Sequence, residues 1–125
     1  MTKIIYPELS YKITGLAFNV FNNIGYGMSE KHYQKLFAEE LKENKINFEN
    51  EKAVKITYKE KEIGNYFLDF VVDNKLVVEL KVRPRLGYIH IKQVMNYLKT
   101  TGYKLALLIY FTKEGVKYRR IINAI

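Results

Sequence analysis

Tyr66-Phe67-Leu68-Asp69-Phe70-Val71-Val72-Asp73-Asn74-Lys75-Leu76-Val77-Val78-Glu79-Leu80-Lys81 is the stretch on which the fold turns. Two runs rich in β-branched and aromatic residues flank a polar turn, the pattern of an antiparallel hairpin. Glu79 and Lys81 interrupt the second run at i and i+2, so a strand projects both from one face. Asp69 interrupts the first run in the same way. Burying an ionisable group in a sheet costs several kcal/mol unless it is paired or bound to a metal. Three such groups in one hairpin therefore ask for a reason.

Register decides whether they meet. A two-residue turn at Asp73-Asn74 would oppose Asp69 to Val78 and put Leu68 against Glu79, mixing apolar and charged residues on one surface. A three-residue loop, Asp73-Asn74-Lys75, opposes Asp69 to Glu79 and Phe67 to Lys81. It also gathers Leu68, Phe70 and Val72 with Val78, Leu80 and Val82 on one apolar face. A one-residue slip would flip every side chain, so the apolar pattern selects the three-residue loop. Asn74 suits the left-handed conformation that such a loop needs. Asp69 and Glu79 could then share a divalent cation, with the carbonyl of Leu80 as a further oxygen ligand. The cation would polarise a phosphodiester and acidify a bound water, while Lys81 oriented that water or steadied developing charge. The same three residues would equally suit an exposed Glu–Lys pair on an edge strand beside a lone polar position.

Outward from the hairpin, the pattern predicts α-α-β-β-β-α-β-β, an α/β chain with helices on a mixed sheet. Leu9, Ile13, Leu16, Ala17, Val20, Phe21 and Ile24 recur at helical spacing, and Gly25 is a natural C-cap. Ser29 is an N-cap for a second helix carrying Tyr33, Leu36, Phe37 and Leu41, which fades near Asn44. Ala53 to Lys59 and Ile63 to Val72 alternate as strands around a Lys59–Glu62 turn, with a short extra strand around Ile46 to Glu49. Leu76 to Val82 is a strand stopped by Pro84. A helix follows from about Ile89 to Thr100, with Val94, Met95 and Leu98 inward. Leu105 to Phe111 is apolar throughout, as a strand covered on both faces requires. Val116 to Ile122 is an edge strand that Lys117, Arg119 and Arg120 keep soluble.

Without repeats or linkers, residues 1–125 read as one domain. Lys and Arg number 21 against 13 Asp and Glu, a net charge of +8, which favours polyanions and nucleic acid first. No apolar run approaches a membrane span, and Met1 to Glu8 lacks a signal-peptide core, so a cytoplasmic location is expected. With no cysteine and 2 histidines, a catalytic metal falls to carboxylates, which suits Mg²⁺ or Mn²⁺.

Two further patterns lie outside the hairpin. Gly27 to Tyr33 reads Gly-x-x-Glu-x-x-Tyr, and Gln93 to Tyr97 reads Gln-x-x-x-Tyr on the helix after the Glu-x-Lys strand. With Asp69 and Glu79-Leu80-Lys81, these resemble the small GxxExxY proteins of the PD-(D/E)xK nuclease superfamily, from about Leu9 to Ile122. The resemblance implies a restriction-endonuclease-like α-β-β-β-α-β core and Mg²⁺-dependent hydrolysis of phosphodiester bonds, in DNA sooner than RNA. It makes Asp69 and Glu79 metal ligands, Lys81 the catalytic lysine and Glu30 the additional acidic residue. Gln93 and Tyr97 would support the site or contact DNA, with Tyr33 beside them. Leu68 stands where a proline commonly precedes the first acidic residue, and Arg83-Pro84-Arg85 makes the rim basic. Arg83 and Arg85 would hold phosphates without reading sequence.

Each supporting residue also has a plainer reading. Glu30 suits a helix N-terminus by its charge, Tyr33 a core position, and Gln93 with Tyr97 a surface glutamine beside a packed tyrosine. His90 and His32 suit solvent. A nucleic-acid-binding domain that keeps the fold without turnover is the alternative function, and the 11 tyrosines would also suit a protein-interaction surface. So small a domain leaves sequence reading to a partner or a homodimer.

Overall fold

The computed structural model describes residues 4–85 and 87–123. Met1 to Lys3, at the start of the N-terminal stretch, lie outside the described residues. The elements follow the expected order: α1 (Pro7–Ile24), α2 (Glu30–Glu43), β1 (Phe48–Tyr58), β2 (Lys61–Val72), β3 (Leu76–Val82), α3 (Tyr88–Thr101), β4 (Leu105–Thr112) and β5 (Gly115–Ile122). The punctuation is as the residue types require. Ser29 Oγ accepts from the His32 amide, and Gly25 and Gly102 end α1 and α3 at positive φ. The extra strand expected near Ile46 does not stand alone, because Phe48 and Glu49 are the first residues of β1.

One five-stranded sheet runs in the order β1-β2-β3-β4-β5, parallel only between β3 and β4, where α3 supplies the crossover. Helices cover both faces. Ile13, Ala17, Tyr33, Phe37 and Leu41 of α1 and α2 pack on one face with Phe70, Val78, Leu80 and Leu107. Val94 and Leu98 of α3 pack on the other with Val71, Val77, Ala106 and Leu108. Strand β4 contributes to both clusters, which is why its sequence is apolar without alternation. No helix among the described residues is long and apolar enough to cross a membrane.

The hairpin takes the three-residue loop. Phe70 pairs with Val78, Val71 with Val77 and Val72 with Leu76, and Asp73 and Asn74 both adopt left-handed φ, 51° and 56°. The ladder then stops. Beyond Phe70, β2 pairs only with β1, and β3 beyond Val78 pairs only with β4. The sheet forks at Asp69. Opposite it in β1, Glu51 is drawn into a left-handed φ of 53°.

The fork corrects two expectations. Leu68 does not join Phe70 and Val72; it is buried on the α3 side with Val71 and Val77. Phe67 does not oppose Lys81 in a ladder and stands 55% exposed. Twist accumulated across the kink rotates the outer part of β1–β2 relative to β3, so parity along β2 does not survive Asp69.

The edge strand differs in one residue. Arg120 is turned inward, donating to Ser10 Oγ and to the Ile5 carbonyl at 2.7 Å each, and so fastens α1 to β5. Lys117 and Arg119 are the exposed cations.

Candidate active site at the fork of the sheet

Where β2 and β3 part, backbone amides lose their ladder partners, and an unpaired buried N–H is costly. The two acidic side chains fill that need reciprocally. Asp69 Oδ2 accepts from the Leu80 amide at 2.8 Å, and Glu79 Oε2 accepts from the Asp69 amide at 2.7 Å. Glu79 Oε1 accepts from the Tyr66 hydroxyl at 2.6 Å. The Tyr66 ring stacks on Tyr97, with centroids 3.7 Å apart and planes 18° apart. Helix α3 thus reaches Glu79 through two aromatic rings.

Burial and neighbouring negative charge set the charge state. Glu79 is 1% exposed, and burial, followed by the Asp69 charge, pushes its carboxyl up to about 7. Burial also raises Asp69, and the Glu30 charge adds to this; the Leu80 amide, Lys81 and a hydrogen bond from Gln34 act against it. Burial and the Glu79 charge raise Tyr66 far above the ordinary phenol range, which keeps its hydroxyl a donor. His90 is lowered by burial, then by Arg83 and Lys81, with Glu30 opposing. His90 is therefore half-buried beside the basic rim and not simply solvent-facing, as its place in the sequence suggested.

The structure brings Asp69, Glu79 and the Leu80 backbone together, with the charge of Lys81 acting on both carboxyls. Glu30 opens α2 close enough to be felt at Asp69 and His90. Among the described residues, however, no three His, Cys, Asp or Glu side chains gather into a group able to hold a metal ion. Tyr97 acts on the site through Tyr66, whereas Gln93 is exposed on α3. Tyr33 lies in the core, stacked on Phe111 at 4.1 Å, and its hydroxyl donates to the Gly25 carbonyl at 2.6 Å. Arg83 and Arg85 are exposed past the end of β3. Sequence reasoning missed Tyr66 and Gln34. An aromatic at an alternating strand position carries no local sign that it will meet a carboxylate 13 residues away.

The donor set can be tested against a divalent cation on chemistry alone. Two carboxyls held above their ordinary range by burial and by neighbouring negative charge, that of Glu30 at Asp69 and that of Asp69 at Glu79, would be relieved by a cation, and an all-oxygen set suits Mg²⁺ or Mn²⁺. The residue types fit such an ion, which Asp69, Glu79 and the Leu80 carbonyl would hold.

A mixed five-stranded sheet with helices on both faces, forked at an Asp and a Glu-x-Lys, defines a nuclease-like core. The chain belongs to the PD-(D/E)XK nuclease superfamily, whose family model matches residues 7–121. Among solved structures, the chain is similar to one titled SSO0001, with a TM-score of 0.62 and 23% identity over 96% of this chain. It spans 61% of that structure's length. It is also similar to an alkaline exonuclease (LHK-Exo) from Laribacter hongkongensis, with a TM-score of 0.52 and 13% identity, covering 98% of this chain and 72% of that one. A search of curated proteins returns no match.

Proposed function

We propose that this chain is a cytoplasmic, divalent-metal-dependent nuclease of the GxxExxY kind, working as one domain over residues 1–125 and hydrolysing phosphodiester bonds in DNA. The observation that carries this reading is the reciprocal capping of the fork by Asp69 and Glu79, two buried carboxyls brought to one point with Lys81 on the same strand. Superfamily membership and the likeness to an exonuclease structure support the reaction class. A bound Mg²⁺ or Mn²⁺ would supply Lewis acidity toward the phosphodiester. Asp69, Glu79 and the Leu80 carbonyl would hold the cation. Lys81 faces the charge that develops on the phosphate, and Tyr66 keeps Glu79 oriented. Glu30 adds negative potential from α2. Arg83 and Arg85 grip phosphates at the rim, and Gln93 approaches the nucleic acid from the exposed side of α3. A homodimer or a partner would add sequence or structure selectivity.

A silent nucleic-acid-binding domain is favoured by one observation, the lack of a third metal-ligating side chain in the group among the described residues. Cleavage of labelled DNA in Mn²⁺ separates the two readings. Wild type is expected to cut, to stop on chelation, and to lose at least a hundredfold in rate on Glu79→Ala. A folded Glu79→Ala protein cutting at the wild-type rate would remove the proposed mechanism.

A further inference from the structure

A cleft of about 360 Å³ lies between α2 and β1 and opens onto Asp69. Its α2 wall carries Lys31 and Lys35, one helical turn apart, with Gln34 between them; Asn50 and Glu51 form the wall opposite. Lys42, farther along the same wall, is already paired with Glu39 at 3.3 Å. Lys31 and Lys35 have no carboxylate within 4.0 Å among the described residues. The cleft is therefore asymmetric, with free cations on the helix and an acidic side chain at the kinked strand.

We infer that this cleft seats the phosphodiester backbone of a single nucleic-acid strand, held on its α2 side by Lys31 and Lys35 and delivered from there to Asp69. The inference rests on the nuclease reading of the same site and adds the path and form of the substrate. Three features support it. The volume is at the low end for ligand pockets, room for about one nucleotide, and α2 and β1 wall it on two sides against a duplex. Glu51 repels phosphate, so the backbone lies against the lysines and not centrally. Arg83 and Arg85 are exposed past the end of β3, a second pair of cations outside the cleft that a strand leaving Asp69 could meet. Point charges at two successive positions hold a backbone without reading bases, as a strand threading through a site requires.

The test is fluorescence anisotropy of labelled oligothymidylate in EDTA, with no turnover, across a salt series. Lys31→Ala/Lys35→Ala is expected to weaken binding severalfold at low salt. It should also flatten the slope of log affinity against log salt by about 1.4, at about 0.7 per neutralised phosphate on a single strand. Lys12→Ala/Lys104→Ala, an equal charge change on exposed residues of α1 and of the connection before β4, is expected to leave the slope near wild type. Lys31→Arg/Lys35→Arg should restore it. The inference is overturned if the cleft pair and the control pair behave alike, if wild type binds no single strand, or if the slope changes only for duplex. Because no metal or cleavage is involved, those results leave the chemistry of Asp69 and Glu79 to the separate cutting assay.

Discussion

Asp69 and Glu79 each serve two purposes at once: each carboxylate satisfies a backbone amide of the opposing strand, and both gather negative charge where the strands part. The need for a reason to bury them was legible from their place in apolar runs. The form of the reason was not, because reciprocal capping depends on the ladder ending at that residue. The raised carboxyl of Glu79 fixes a pH dependence for the metal-free protein. Its folded value of about 7 lies above the unfolded 4.5, so the folded state holds the proton more tightly. Its contribution to stability is fully present below pH 4.5 and is lost as pH rises through 7, by roughly 3 kcal/mol in all. Urea unfolding in chelator is expected to show Glu79→Gln losing less stability than wild type between pH 5 and 8. Parallel curves for the two proteins would mean that Glu79 is not the group responsible.

At the scale of elements, the β1–β2 ribbon is the least anchored part of the sheet. Its base is held by the Tyr66–Tyr97 stack and by Leu68 and Val54 on the α3 side, but residues 55–65 are all exposed. Both strands were legible from alternation. The loss of that parity at Asp69 was not, since twist across a fork is a tertiary effect with no local residue signature. At the tip, Lys59 and Glu60 take left-handed φ of 49° and 66°, the pattern of a two-residue turn that favours Asn-Gly. A non-glycine residue there costs about 1 kcal/mol. Lys59→Asn/Glu60→Gly is expected to slow amide exchange in the ribbon while barely moving the global unfolding midpoint, because a peripheral ribbon opens without the core. Unchanged exchange would show that the turn does not limit ribbon opening.

Across the whole molecule, β4 joins two hydrophobic clusters on opposite faces of the sheet, an arrangement that its unbroken apolar run makes readable from the residues alone. Glu79 and Lys81 sit on the neighbouring β3, so the site is carried by the most completely buried pair of strands. A well-packed scaffold therefore holds two carboxyls that repel each other, and relief of that repulsion must appear as stability of the entire fold. Anything that binds only the folded state stabilises it by mass action, by about 2.7 kcal/mol at a hundred times its dissociation constant. For a domain of this size that corresponds to a rise of about 10 °C in Tm. Mn²⁺ is expected to raise the Tm of wild type by that much at pH 8 and by less at pH 5, where protons compete for Glu79. Asp69→Ala/Glu79→Ala should melt at one temperature with or without the ion. If wild type also melts identically in Mn²⁺ and in chelator at pH 8, the two carboxylates form an internal hydrogen-bonded box that takes no cation by itself. Metal-dependent cleavage would then require the phosphate of a bound strand to complete the ligand set.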